Sequence, residues 1–186
     1  QQMNKKACTV SITATQSIAR QTHRLVAIAI SPLKNVGRFE WFLEKATELG
    51  VAEIFPIISQ RTERQHFRAS RLQAICTSAM LQSQQTWLPK LHEPLLLSDL
   101  LNSGESHRYH HRWVAHCSNL EKHHLASIVK PGMHDSLILI GPEGDFTTEE
   151  IVKAEEQGFV AVSLGDTRLR SETAGVVAST LLCLLP

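Results

Sequence analysis

IGPEGDF, residues 140–146, and SLGDTRLRSETAG, residues 163–175, are the two stretches that decide how this chain is read. A short apolar run precedes each: Leu137-Ile138-Leu139-Ile140 before the first, Phe159-Val160-Ala161-Val162 before the second. After the first, Thr147-Thr148-Glu149-Glu150-Ile151 has the hydroxyl cap and early carboxylates of a helix start. The second opens into an apolar helix that runs to the C-terminus. Two successive strand–loop–helix units place both loops at the carboxyl edge of a sheet, where open α/β folds bind ligands. Gly141, Gly144 and Gly165 lack a Cβ, so the backbone there can turn sharply and come close to a ligand.

Working outward, strands and helices alternate. Residues 6–14 read as the last strand of something cut away, and residues 16–24 as a polar linker. Strands are expected over 25–30, 53–58 and 112–117. The helix over 39–49 carries Phe39, Phe42, Leu43 and Ala46 on one face and stops at Gly50. Further helices are expected over 70–84 and 120–129. This β/α alternation predicts a mainly parallel sheet with helices on both faces. Two segments follow: 1–24, a remnant with its linker, and 25–186, the α/β domain.

Composition narrows the function classes. The chain has 186 residues, 42% of them hydrophobic, and no apolar run long enough to span a membrane. It begins at Gln1 with no visible signal peptide, which reads as a fragment or a processed chain. Cys8, Cys76, Cys117 and Cys183 form no CxxC pair, which argues for reduced thiols in a cytoplasmic protein and against a zinc site. Net charge is only +1, so nucleic-acid binding requires a local patch.

Several clusters admit two readings. Arg61, Arg64, His66, Arg68 and Arg71 are either a solvated face or a phosphate-tracking patch, the latter supported by Lys34 and Arg38 at the same strand end. Charge alone leaves the two even. His107, His110, His111, His116, His123 and His124 read as a histidine-rich polar region, because adjacent strand residues point to opposite faces and do not converge on a metal. Glu143 and Asp145, taken by themselves, read as helix-capping carboxylates. Arg170 and Glu172 lie between a glycine loop and a buried helix, where charge is costly unless paired or used. Function is favoured there, with a structural Arg170–Glu172 pair as the alternative. Neither a P-loop lysine nor a GxGxxG fingerprint is present.

KATELGV (residues 45–51), IGPEGDF and LGDTRLRSETAG (residues 164–175), in this order and spacing, resemble the bacterial small-subunit rRNA uridine-N3 methyltransferases of the SPOUT class. The resemblance runs from about Leu25 to the C-terminus. It implies a C-terminal trefoil knot, one of the exceptions to unknotted topology, with bound S-adenosylmethionine and a homodimer. By position it implies that Ile140, Gly141, Pro142, Glu143 and Gly144 line one side of the cofactor pocket. Leu164, Gly165, Arg168, Leu169 and Thr173 would line another, with His116 at the end of the preceding strand. Arg170 would face the target base and Glu172 would orient it. Lys34, Arg38, Arg61, Arg64 and Arg68 would contact 16S rRNA of the small ribosomal subunit.

The chain departs from the family pattern in places. Leu81-Gln82-Ser83-Gln84-Gln85 stands where the family often has Glu-Gln-Ser-Gly-Arg, Asp145 where a second glycine is common, and Thr167 where an arginine is. Of the family's N-terminal rRNA-binding barrel, only residues 6–14 are expected to remain.

The implied chemistry needs no metal, since the cofactor's sulfonium already activates its methyl group and the protein supplies positioning and charge control. Glu143, Glu172 or solvent would take the uracil N3 proton. Alternative readings are the same fold acting on another RNA nucleoside, and a catalytically idle RNA-binding or dimerisation module. Val176, Val177, Leu181, Leu182, Leu184 and Leu185 make the last helix apolar on more than one face, which predicts burial against both its own sheet and a partner subunit.

Overall fold

The structure, a computed structural model, describes residues 2–3, 8–16, 25–63, 67–118, 121–133 and 135–185. The N-terminal part holds β1 (Gln2–Met3) and β2 (Cys8–Thr9), paired antiparallel. The main domain begins with β3 (Val26–Ile30), α1 (Val36–Glu48), β4 (Glu53–Ile58) and α2 (Ala69–Gln82). Short elements follow: β5 (Lys90–Leu91), β6 (Leu95–Leu96), α3 (Leu97–Asn102) and α4 (Gly104–His107). Then come β7 (His111–Ala115), β8 (His123–His124) and α5 (Leu125–Ile128). The chain closes with β9 (Ser136–Ile140), α6 (Thr148–Glu156), β10 (Val160–Ser163) and α7 (Ser171–Leu184).

The main sheet runs β5-β4-β3-β9-β7-β10-β8, every pairing in it parallel, with β6 also on β4. Its central strands β3 and β9 are buried on both faces, as the near-continuous VAIAI and SLILI runs require. Val26, Ile28, Ile30, Ile138 and Ile140 point to one face and pack with residues of α1, α2 and α7. Ala27, Ala29, Leu137 and Leu139 point to the other, with residues of α3 and α6. This period-2 split produces the expected helix–sheet–helix sandwich.

Helix α1 buries Phe39, Phe42, Leu43, Ala46 and Thr47, one stripe at i, i+3, i+4, i+7 and i+8. Gly50, at φ +87°, ends it in the left-handed conformation that a glycine adopts without strain. The last helix meets α1 closely at Gly175.

Two expectations are corrected. Of the strand expected over 6–14, only Cys8–Thr9 is strand and residues 10–14 are not; Lys6 and Ala7 lie outside the described residues. Of the helix expected over 120–129, the sheet takes His123–His124 as an edge strand, and one turn, Leu125–Ile128, remains. The last helix buries Gly175, Ala178, Ser179 and Leu182 within its own subunit, while Leu184 stays 62% exposed. No helix among the described residues is long and apolar enough to cross a membrane.

Alanine in place of glycine inside a helix ordinarily stabilises by about 1 kcal/mol. At Gly175 the sign reverses, because an added Cβ would lie 2.6 and 2.7 Å from Phe42 ring carbons and 3.1 Å from Ile30 Cδ1. Gly175→Ala is expected to lose roughly 1–3 kcal/mol through overpacking. Thermal melting checks this, and a variant as stable as wild type would contradict the close α1–α7 packing.

Candidate functional site at the carboxyl edge of the sheet

Because the strands are parallel, the loops after β3, β4, β7, β9 and β10 emerge along one edge. The last three loops enclose a cleft of about 570 Å³. His116, Ile140, Gly141, Pro142, Glu143, Leu164, Gly165, Arg168, Leu169 and Arg170 all line it. Gly144, Thr173 and Glu172 do not. Lys122, Asp145 and Ser171 also line the cleft and were not anticipated there.

The loop 141–147 is held from three directions. Glu143 Oε1 accepts the Lys34 backbone N–H from the loop after β3, at 3.0 Å. The Gly144 carbonyl accepts from Arg61 Nη1 on the loop after β4, at 2.7 Å. Asp145 Oδ2 accepts the Cys117 N–H from the loop after β7, at 2.7 Å. These bonds replace the helix-capping roles expected of Glu143 and Asp145. The cap is a full capping box instead: Thr147 Oγ1 accepts from Glu150 N, and Glu150 Oε2 accepts from Thr147 N. The other oxygen of Glu150 accepts the Gln60 N–H at 2.7 Å, a second tie to the loop after β4.

Glycines supply the close approaches. A Cβ on Gly141 would sit 3.1 Å from the Phe146 nitrogen, tighter than an ordinary contact, so the loop folds back closely on this position. Gly165 has φ +151° and open space where its Cβ would be, which leaves bare backbone beside the cleft.

His116 closes the wall contributed by β7. It is 6% exposed, and its Nδ1 lies 2.8 Å from Ser118 Oγ. The Lys122 ammonium donates to the His116 and Ser118 carbonyls, at 3.1 and 2.7 Å. Burial pushes the imidazole pKa below its ordinary value, and the nearby Lys122 charge adds to this, so the ring is neutral. Among the described residues, its Nε2 is buried without a hydrogen-bond partner. A polar atom left unsatisfied in a cleft wall suits a polar ligand. Together with the glycine-backed loops, it makes the cleft fit a cofactor such as S-adenosylmethionine.

Arg170, the residue before α7, is exposed on the cleft rim. Glu172 points elsewhere. Its Oε1 is 3.6 Å from Arg38 Nε on α1, its side chain is 8% exposed, and its Oε2 is buried without a partner among the described residues. Glu172 thus pairs with Arg38 rather than with Arg170, which precedes the helix in extended backbone at φ −70° and ψ 154°.

The basic residues gather at the neighbouring strand ends, and among the described ones each has its own partner except Arg68. Lys34 Nζ is 3.3 Å from Glu63, Arg38 meets Glu172, and Arg61 holds Gly144. Arg71 grips Glu40 through two bonds of 2.5 and 2.9 Å. Arg68 is exposed and makes no ion pair among the described residues; Arg64 lies outside them. The Lys34–Glu63 pair is exposed on both sides and worth about 0–1 kcal/mol, so a polyanion can open it at little cost.

Comparison with known proteins agrees with this arrangement. A family model described as an RNA methyltransferase domain matches residues 20–183. Ribosomal RNA small subunit methyltransferase E of Mesomycoplasma hyopneumoniae is 31% identical over 83% of this chain and 67% of its own length. A probable rRNA-methyltransferase from Porphyromonas gingivalis superposes with a TM-score of 0.87 at 36% identity, over 97% of this chain and 77% of that one. The Neisseria gonorrhoeae ribosomal RNA small subunit methyltransferase E, solved bound to S-adenosyl methionine, has a TM-score of 0.71 at 29% identity, over 84% of this chain and 64% of that one. The chain spans between 51% and 67% of the length of the first curated relatives it matches. With a family model that covers nearly its whole α/β domain, this chain belongs to the RNA methyltransferase domain family.

Proposed function

We propose that this chain is an S-adenosylmethionine-dependent methyltransferase acting on N3 of a uridine in 16S rRNA of the small ribosomal subunit. The observation that carries the reading is the convergence of three loops on one glycine-backed cleft with the cation Arg170 at its rim. Relatives named for small-subunit rRNA methylation, and a neighbour solved with S-adenosyl methionine, support it. A trefoil knot formed by the loops after β7, β9 and β10, a homodimer using the exposed apolar side of α7, and a cytoplasmic location belong to the same proposal.

The bound cofactor supplies a methyl group made electrophilic by its sulfonium. Backbone of Gly141, Pro142, Leu164, Gly165 and Leu169 would form its cradle, and the unpartnered His116 Nε2 would contribute a neutral hydrogen-bonding group. Neutrality matters, since a second positive charge beside a sulfonium is unfavourable. Arg170 would serve the uracil oxygens, where negative charge develops as N3 loses its proton. Of the two glutamates considered as proton acceptors, Glu143 lines the cleft and keeps Oε2 free of the Lys34 bond, whereas Glu172 faces Arg38. Glu143 is therefore the proposed base. Lys34, Arg38, Arg61 and Arg68 would track the RNA backbone at the adjoining strand ends.

Two outcomes are expected. Arg170→Ala should reduce transfer of a radiolabelled methyl group to small-subunit particles by about a hundredfold while leaving S-adenosylhomocysteine affinity within twofold of wild type. No transfer by the wild-type chain, or undiminished transfer by the variant, would overturn the assignment. For His116, the unfolded chain takes up a proton near pH 6.5 that the folded chain resists. Stability should therefore fall as pH drops below that value. Melting temperatures between pH 7.5 and 5 should fall less in His116→Gln than in wild type; equal falls would contradict the buried neutral imidazole.

A further inference from the structure

We infer that Asp145 is a positioning residue whose carboxylate clasps the loop after β7 to the loop after β9, and so sets one wall of the cleft before any ligand arrives. The inference rests on the cofactor reading above. Asp145 has φ +63°, in the left-handed region where a glycine would sit without strain. Aspartate tolerates that region when its short side chain bonds locally, and here it does: Oδ1 accepts the adjacent Phe146 N–H at 2.8 Å. The second oxygen reaches across the chain. Oδ2 accepts the N–H of Cys117, 28 residues earlier, at 2.7 Å. That is the distance expected of a charge-assisted bond.

After β7 the chain leaves the sheet at His116, and its backbone carbonyls at His116 and Ser118 are gathered by the Lys122 ammonium. The donor on that segment, Cys117 N–H, is the one Asp145 takes. Lys122 and Asp145 thus bind the acceptors and a donor of the same short loop. Both line the cleft, as does Cys117. On the far side Asp145 is fixed by its own loop, which folds back until Phe146 N lies 3.1 Å from where a Gly141 Cβ would be. The carboxylate is therefore held from behind and transmits that position to the His116–Cys117 wall. Without it, a ligand would have to order this wall as it binds, which weakens affinity.

Asp145→Gly keeps the positive φ and removes the clasp; Asp145→Asn keeps the φ and retains a carbonyl oxygen able to accept the Cys117 N–H. Calorimetry with S-adenosylhomocysteine, exchange of the Cys117 amide in the ligand-free protein, and the melting temperature are measured for each. Asp145→Gly should bind roughly tenfold more weakly than wild type. Its Cys117 amide should exchange faster already in the free protein, with little change in melting temperature. Asp145→Asn should stay within about threefold of wild type in affinity. Wild-type affinity and unchanged Cys117 exchange in Asp145→Gly would overturn the clasp. So would a melting temperature that falls in step with affinity, or an Asp145→Asn variant as weak as the glycine variant with Cys117 still protected. If the wild-type chain itself fails to bind, the cofactor reading is lost, and Cys117 exchange in free Asp145→Gly still decides the clasp.

Discussion

The site depends on the loop from Gly141 to Thr147 being held from three sides at once. Glu143, Gly144 and Asp145 are consecutive, and each makes one hydrogen bond to a different strand-end loop: after β3, after β4 and after β7. Only a parallel sheet permits this, since it delivers all those ends to one edge. The near-continuous apolar runs of β3 and β9 are thus the remote cause of the site's geometry. They fix the two central strands side by side, Val26 against Ser136 through Ile30 against Ile140, and the loops follow from where those strands end.

This arrangement also ties the proposed RNA-facing residues to the proposed cofactor loop. Arg61 donates to Gly144, and the aliphatic part of its side chain lies 3.3 Å from where a Cβ on that glycine would be. The Lys34 backbone bonds to Glu143, and Arg38 pairs with Glu172 in the first turn of α7. Each of these basic residues therefore has a protein partner on the cofactor side of the sheet edge. RNA engagement through these residues would act on the same contacts that shape the cleft, so the two are physically linked in the proposed function.

Strong periodic segments were legible in the sequence. The strand expected over 53–58 has those bounds in the structure, and those expected over 25–30 and 137–140 differ by one residue at the start. Residues 90–107 were not legible, because β5, β6, α3 and α4 are each two to six residues long, too short to show a period. The glycine loops were legible since their residue types are unusual at strand ends. What escaped was long-range: Asp145 reaching Cys117, and Lys122 folding back on His116, leave no local pattern. The partner of Glu172 was not legible either, since it lies on α1 and depends on how α1 and α7 pack.

The central claim is that the ligand occupies the cleft formed by the loops after β7, β9 and β10. Amide hydrogen exchange of the wild-type chain with and without saturating S-adenosylhomocysteine tests it most directly. The account predicts slowed exchange over residues 116–118, 141–146 and 164–170 together, with the two-stranded N-terminal ladder unaffected. Binding without protection in those loops, or protection confined to α1 and α2, would contradict it.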